Sequence, residues 1–269
     1  MPVFAISTGP DMSQNFRHTE ILEIARKDGK VTVEGLAQHF GVTLQTIRRD
    51  LTDLAENGKL ERVHGGAIPA SGTANIGYEE RRSLHAEGKQ AIARACAARI
   101  PNDISLFLSI GTTTEAVAQE LLQHRGLLVV TNNMNVANTL ALNPACEVVV
   151  TGGSLRRFDG GLIGSLATET IRQFKFDLSV IGCSAIDLDG DLLDFDVQEV
   201  GVSQAILRHS RKTFLVSDHS KLHRSAPIRI ASLSQIQSVF TDAPLPQALV
   251  KSCADWKTEL VVAPGGGYS

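Results

Sequence analysis

The sequence lacks any run of the roughly 18 or more consecutive apolar residues that a membrane-spanning helix needs. Met1–Gln14 has neither the basic start nor the apolar stretch of a secretory signal. A cytoplasmic protein with no membrane partner is therefore expected. Cysteine is scarce: Cys96, Cys146, Cys183 and Cys253 stand far apart with no C-x-x-C pair. That spacing suggests neither a zinc site nor a disulfide framework, and reduced, buried thiols are expected. An excess of charge is also missing, because 26 Lys plus Arg against 29 Asp plus Glu leave −3, which argues against coating nucleic acid through bulk positive charge. The G-x-G-x-x-G and G-x-x-x-x-G-K-[ST] patterns are absent, and Gly160-Gly161-Leu162-Ile163-Gly164 has the wrong spacing for a dinucleotide loop. The acidic run Asp187, Asp189, Asp191, Asp194 and Asp196 lacks the glycine and glutamate positions of a calcium loop and reads as a solvated turn. Neither a metal nor another cofactor is expected.

What is present is an ordinary globular composition, 43% hydrophobic and 20% charged over 269 residues, enough for a small domain and a larger one. Met1–Asn15 has no periodicity and contains Gly9-Pro10-Asp11, so it reads as a leader without regular structure. Ile21, Leu22, Ile24 and Ala25 give an amphipathic helix over 17–26. A short helix carrying Leu36, Ala37 and Phe40 ends at Gly41, and Thr43 is placed to cap the next one. On that helix Leu44, Ile47, Leu51 and Leu54 share a stripe, leaving Gln45, Arg49 and Thr52 opposite and Thr46 and Arg48 flanking. The stretch 59–68, with Gly65-Gly66, predicts a β-hairpin wing. Pro69–Gly77 is small, polar and linker-like. The boundaries expected are 16–70 for the first domain and 78–262 for the second.

A two-helix corner followed by a hairpin presents its second helix to the DNA major groove, where Arg pairs with guanine and Gln with adenine. Thr43, Gln45, Thr46, Arg48 and Arg49 are the candidate contacts on that helix, and Arg62 and His64 those on the wing. Arg48 and Arg49 taken alone also read as solvated charges paired with Asp53 or Glu56, and His64 alone reads equally as structural. The order of corner, turn and hairpin favours DNA.

The remainder predicts a helix over 79–99 and strands at Ile104–Ile110, Leu127–Thr131, Glu147–Thr151, Leu178–Gly182, Thr213–Val216 and Ser238–Thr241, most with helices between them. That alternation indicates a largely parallel sheet. Ligands sit at strand carboxyl ends in such sheets, and the loops there repeat one chemistry. Gly111-Thr112-Thr113, Asn132, Gly152-Gly153, Ser184 and Asp187 offer close backbone approach with hydroxyl and amide groups, and Lys221 offers a cation. Capping of a helix by Thr112 or Thr113 is the plainer alternative for the first loop.

The motifs Gln45-Thr46-Ile47-Arg48-Arg49-Asp50-Leu51, His64-Gly65-Gly66-Ala67, Ile110-Gly111-Thr112-Thr113, Thr131-Asn132-Asn133, Gly182-Cys183-Ser184-Ala185-Ile186-Asp187 and Asp218-His219-Ser220-Lys221 follow in an order that resembles the DeoR family of bacterial repressors, over nearly all of Phe16–Val262. The resemblance implies a winged helix-turn-helix and a ribose-5-phosphate isomerase-like α/β sensor domain. It further implies double-stranded operator DNA and a phosphorylated small-molecule effector as partners, and a homo-oligomer, dimer or tetramer. Carried over by position, Thr112, Thr113 and Lys221 hold phosphate, and Asn132, Gly152, Gly153, Ser184, Asp187 and Glu199 lie in or near the pocket, with Gly111 opening the phosphate loop. The segments 132–140 and 193–200 bring the resemblance nearest to family members of the glycerol-3-phosphate regulon, which makes that compound the expected effector. One position departs from the family pattern: Ser109 stands where members often carry an acidic residue.

A ligand-controlled repressor without catalytic activity is thus the leading expectation. A sugar-phosphate isomerase or deaminase needs a poised acid and base; Asp187 and Glu199 are available, but no clear pair is evident. An activator or an architectural DNA binder is the third reading.

Overall fold

The structure, a computed structural model, describes residues 10–28, 31–56, 59–63, 65–69 and 78–263. The chain divides into two compact units, Met1–Ala74 and Asn75–Ser269.

In the first unit, α1 spans Pro10–Asp28 and so begins earlier than the periodicity indicated. Proline at a helix's first position supplies a suitable φ and gives up no hydrogen bond, so Gly9-Pro10-Asp11 marks a helix start, and the leader expectation is corrected for residues 10–15. Residues 1–9 lie outside the described residues. β1 (Val31–Thr32) leads into α2 (Val33–Phe40), where the Thr32 hydroxyl accepts the Gly35 amide at 3.1 Å. Gly41 at φ 63° ends α2 in the left-handed region that glycine enters without strain. α3 (Leu44–Glu56) begins with the Thr43 hydroxyl accepting the Thr46 amide at 3.2 Å. β2 (Leu60–Val63) and β3 (Gly66–Pro69) form an antiparallel hairpin, and β3 also pairs with β1. Pro69, expected in the linker, is the last residue of β3 and pairs with Leu60.

Ile21, Leu22, Ala25, Leu36, Ile47, Leu51, Leu54 and Leu60 make the core of this unit, each large side chain contributing about 1.5–3 kcal/mol on burial. Leu44 is not among them and is 42% exposed, because side chains at a helix's first residue lean past the turns that pack on the core. Asp50 is buried in that core. Arg17 donates to its two oxygens at 2.7 and 3.1 Å, and His18 Nε2 lies 3.1 Å from Oδ1, so the buried carboxylate is fully engaged.

The second unit opens with α4 (Tyr78–Ser83) and α5 (Ala86–Ala97) in place of one helix over 79–99. His85, at φ 54°, breaks the helix between them. Then follow β4 (Ser105–Leu108), α6 (Thr112–Glu120), β5 (Leu127–Thr131), α7 (Met134–Leu140), β6 (Cys146–Val150), β7 (Ser154–Arg156), β8 (Gly161–Ile163) and α8 (Ser165–Arg172). The unit closes with β9 (Leu178–Ile181), β10 (Ala185–Ile186), β11 (Asp191–Asp194), α9 (Val197–His209), β12 (Thr213–Val216), β13 (Ile228–Ser232), β14 (Ser238–Thr241), α10 (Gln247–Trp256) and β15 (Glu259–Val262).

Among the described residues, seven strands form one sheet in the order β15-β14-β12-β9-β4-β5-β6, and every pairing in it is parallel. Alternate side chains serve opposite faces. Leu106, Leu108 and Val180 pack with Ile92, Val117 and Leu140 of α5, α6 and α7, whereas Phe107, Ile181 and Leu215 pack with Ile171, Ile206 and Leu249 of α8, α9 and α10. All six expected strands are present. The seventh, β15, was not expected, nor were the antiparallel pair β7-β8 and the small sheet β10-β11-β13. From β4 the chain runs outward in both directions, to β5 and β6 on one side and to β9, β12 and β14 on the other. The crevice of such a sheet opens at the carboxyl ends of the strands where the order reverses, which falls between β4 and β9.

Candidate functional site

In the first unit the outward face of α3 carries Gln45, Arg48 and Arg49, all exposed. The hydroxyls of Thr43 and Thr46 lie 2.9 Å apart and are engaged in starting the helix. The backbone carbonyl of Arg48 accepts the Thr52 hydroxyl at 2.8 Å and the Arg62 guanidinium at 3.4 Å, so the wing residue Arg62 leans on the same helix. His64 lies outside the described residues. The arrangement presents two guanidiniums and a carboxamide to solvent from one helix face, the chemistry that reads base edges.

In the second unit the sheet brings the expected loops to one edge. Gly111, at φ 146°, is the N-cap of α6 with no side chain capping the helix. Thr112 and Thr113 are its first helical residues, so neither is the cap that the plainer reading required, and the first turn offers its amides to an anion. Gly182 sits between the ends of β4 and β12, where a Cβ would lie 3.8 Å from the Ile110 carbonyl and 3.9 Å from that of Val216. Its amide donates to Ser109 Oγ at 3.4 Å, so the residue that departs from the family pattern braces the β4 and β9 loops.

At the end of β5, Asn132 donates from its amide nitrogen to the Leu162 carbonyl at 3.1 Å, which orients the side chain. Its Oδ1 is buried and has no hydrogen-bond partner, as is Thr151 Oγ1 at the end of β6. Gly152 and Gly153 have packing reasons of their own: a Cβ would meet the Leu166 side chain at 2.6 Å and the Ile163 carbonyl at 2.6 Å respectively.

Ser184 donates to buried Asp194 at 3.1 Å. Glu199, in the first turn of α9, lies 2.6 Å from the Arg156 guanidinium. Burial first, then neighbouring Asp194, pushes Glu199 up to about 7 against the pull of Arg156. Asp194 is raised as well, chiefly by burial. Half-buried Lys221 follows β12, and burial pushes its ammonium down to about 8 although Asp218 opposes this. Asp187 is not brought to this edge. It is exposed in the turn joining β10 and β11, where Gly190 packs against Trp256 at the end of α10, close to the start of β15 and away from the carboxyl ends.

Several charged residues at this edge escaped the sequence reading. Arg156 holds Asp159 through two bonds at 2.9 and 2.6 Å and reaches Asp196 at 3.2 Å. Asp194 and Asp196 are therefore structural, Asp196 capping α9 through the Gln198 amide at 2.8 Å, and the solvated-turn reading is corrected for both. Arg81 and Lys89 also lie in this cluster. Single arginines on short elements show no pattern, and only the crossovers bring them together.

Comparison with known proteins matches residues 17–73 to the DeoR-like helix-turn-helix domain and residues 84–243 to the DeoR C terminal sensor domain. The chain belongs to the DeoR family. The glycerol-3-phosphate regulon repressor of Escherichia coli is 45% identical to this DeoR-family protein over 93% of this chain and 99% of the relative, and that of Haemophilus influenzae 44% over 94% and 99%. The L-fucose operon activator of Haemophilus influenzae is 31% identical over 89% and 96%. Ribose 5-phosphate isomerase A from Neisseria gonorrhoeae is similar at 13% identity and a TM-score of 0.36, over 50% of this chain and 52% of that one, too distant to bring a catalytic assignment to the DeoR-family chain. Among the described residues, no helix is long and apolar enough to cross a membrane, and no group of His, Cys, Asp and Glu is placed to hold a metal.

Proposed function

We propose that the protein is a transcriptional repressor, with residues 16–70 reading double-stranded operator DNA and residues 78–262 binding a phosphorylated small molecule, glycerol-3-phosphate, that releases it. The reader face is Gln45, Arg48 and Arg49, with Thr43 and Thr46 setting the helix and Arg62 and His64 on the wing. The pocket is Gly111, Thr112, Thr113, Asn132, Gly152, Gly153, Ser184, Glu199 and Lys221. Two half-sites of an operator are met by two copies of one chain, so the repressor acts in the cytoplasm as a homo-oligomer.

The observation that carries the effector reading is the uncapped first turn of α6 in a loop edge that also holds Lys221 and the orphaned oxygens of Asn132 and Thr151. Amides and an ammonium suit a phosphate, and Asn132 Oδ1, an acceptor without a donor, suits a ligand hydroxyl. A polyol phosphate supplies both. Identity of 45% and 44% to two glycerol-3-phosphate regulon repressors over nearly the whole chain supports the repressor reading, and glycerol-3-phosphate is the polyol phosphate proposed. Glu199 is bound by Arg156 rather than left to abstract a proton, which favours a sensor over an isomerase.

The test is fluorescence anisotropy of the full chain on its own promoter DNA at physiological salt. Preference over random DNA and release by sn-glycerol 3-phosphate, with none by glycerol, are the expected results. Absence of preference would refute the repressor, whereas release only by another phosphate would replace the effector and leave the repressor standing.

A further inference from the structure

Arg81, on α4, is a buried cation whose hydrogen bonding is incomplete. Its side chain is 14% exposed, and Nε is buried with no hydrogen-bond partner. Its near acidic neighbour does not account for it. Asp159 Oδ2 lies 3.7 Å from the Arg81 guanidinium, beyond hydrogen-bond reach. Asp159 is already served by Arg156 at 2.9 and 2.6 Å and by the Gly161 amide at 3.2 Å. A desolvated N–H with no acceptor is destabilising unless something supplies one.

The surroundings specify that acceptor. Lys221 is lowered chiefly by burial; Asp218 opposes this, and the charges of Arg224 and Arg81 add to it. Lys89 is buried, its ammonium donating to the backbone carbonyls of Arg81 and Leu84, and it too is lowered by burial first, against Asp218 and with a contribution from Arg81. Asp218 already faces both ammoniums, so the acceptor still missing is the one for Arg81 Nε, and an anion among these cations supplies it. The hairpin carrying Asp159 is tied by Leu162 to Asn132, whose Oδ1 is orphaned as well. An unsatisfied cationic donor and an unsatisfied neutral acceptor thus share one region.

We propose that Arg81 is a direct ligand of the effector's phosphate, and that through it occupancy of the pocket fixes α4, the first helix after the stretch joining the two units. The proposal rests on the phosphate-effector reading above. Tyr78 of the same helix is tied to the pocket edge, its hydroxyl donating to Glu115 at 2.8 Å and accepting from Asn135 at 3.0 Å. Ligand-dependent order in α4 is therefore transmitted by a helix already anchored to α6 and α7.

The experiment titrates the full chain and its R81M and R81K variants with sn-glycerol 3-phosphate, inorganic phosphate and glycerol, following thermal stability and amide exchange of Tyr78–Ser83. The wild type is expected to be stabilised by both phosphates and not by glycerol, with slower exchange in α4 on binding. R81M is expected to melt close to the wild type without ligand and to bind promoter DNA equally. It is also expected to bind glycerol 3-phosphate about 10- to 100-fold more weakly, with no ligand effect on α4 exchange. If R81M unfolds, R81K decides, because it keeps the charge and loses the Nε donor; affinity equal to wild type then overturns the proposal. Wild-type affinity in folded R81M overturns it too and leaves the effector reading intact. A wild-type protein that responds to neither phosphate removes both.

Discussion

Replacing Asp50 by Asn tests whether the DNA-reading unit is held by the ion pair beneath α3. The substitution keeps the side chain's shape and one acceptor oxygen but removes the charge that meets Arg17 at 2.7 and 3.1 Å and His18 at 3.1 Å. Charge-assisted hydrogen bonds contribute about 1.5–3 kcal/mol each. They are not additive, and Arg17, 16% exposed, recovers part of its hydration when released. A net loss of about 2–3 kcal/mol is expected, toward the lower limit for a broken buried pair. Expressed as amide exchange in the full chain, this is a fall in the protection of Leu44–Glu56 by roughly 30- to 150-fold. The sheet amides of β4 and β9 serve as the internal control, because the two units are separately compact. Protection of α3 within threefold of wild type, or an equal loss in the sheet, would refute the reasoning.

Gly153→Ala places a Cβ 2.6 Å from the Ile163 carbonyl at φ 132°, and a loss of about 2–3 kcal/mol in urea unfolding is expected; a neutral result contradicts the packing described. Glu199, raised to about 7 by burial, binds more protons folded than unfolded below that value. Stability of the wild type relative to Glu199→Gln should therefore rise as pH falls from about 8 to about 5, and paired urea titrations giving a flat or opposite difference would count against it. Lys221, lowered to about 8, loses its charge in the free protein as pH rises past that value, while the ligand phosphate, with its second pKa near about 6, is unchanged. Calorimetric affinity for glycerol 3-phosphate should fall between about pH 7 and 9 in the wild type and much less in Lys221→Arg, whose guanidinium stays charged.

The inner strands of the sheet were legible because they are buried on both faces: Leu178–Ile181 and Thr213–Val216 are short, mostly apolar runs of strand length. The short strands of β7-β8 and β10-β11 were not, since two to four residues carry no clear period. α4 and α5 merge in the sequence because the left-handed His85 gives no compositional signal of a break. On α3 the apolar stripe was right from Ile47 onward and misled at Leu44, and Asp50, which any hydropathy pattern assigns to solvent, proved to be part of the core. Of the effector candidates, the loop residues followed from their place after strands, and only Asp187 lay elsewhere. The charged groups around them did not follow, because Arg156 meets Asp196 and Glu199 across two crossovers and an extra hairpin.

On α3 the residues that hold the fold and those that face solvent are separate sets. Ile47, Asp50, Leu51 and Leu54 are buried, and Gln45, Arg48 and Arg49 bear on nothing in the core. Mutation can therefore rewrite the outward face of α3 without first being filtered by folding. A lineage built this way changes what that face presents by exchanging a few surface side chains, and keeps one scaffold while doing so.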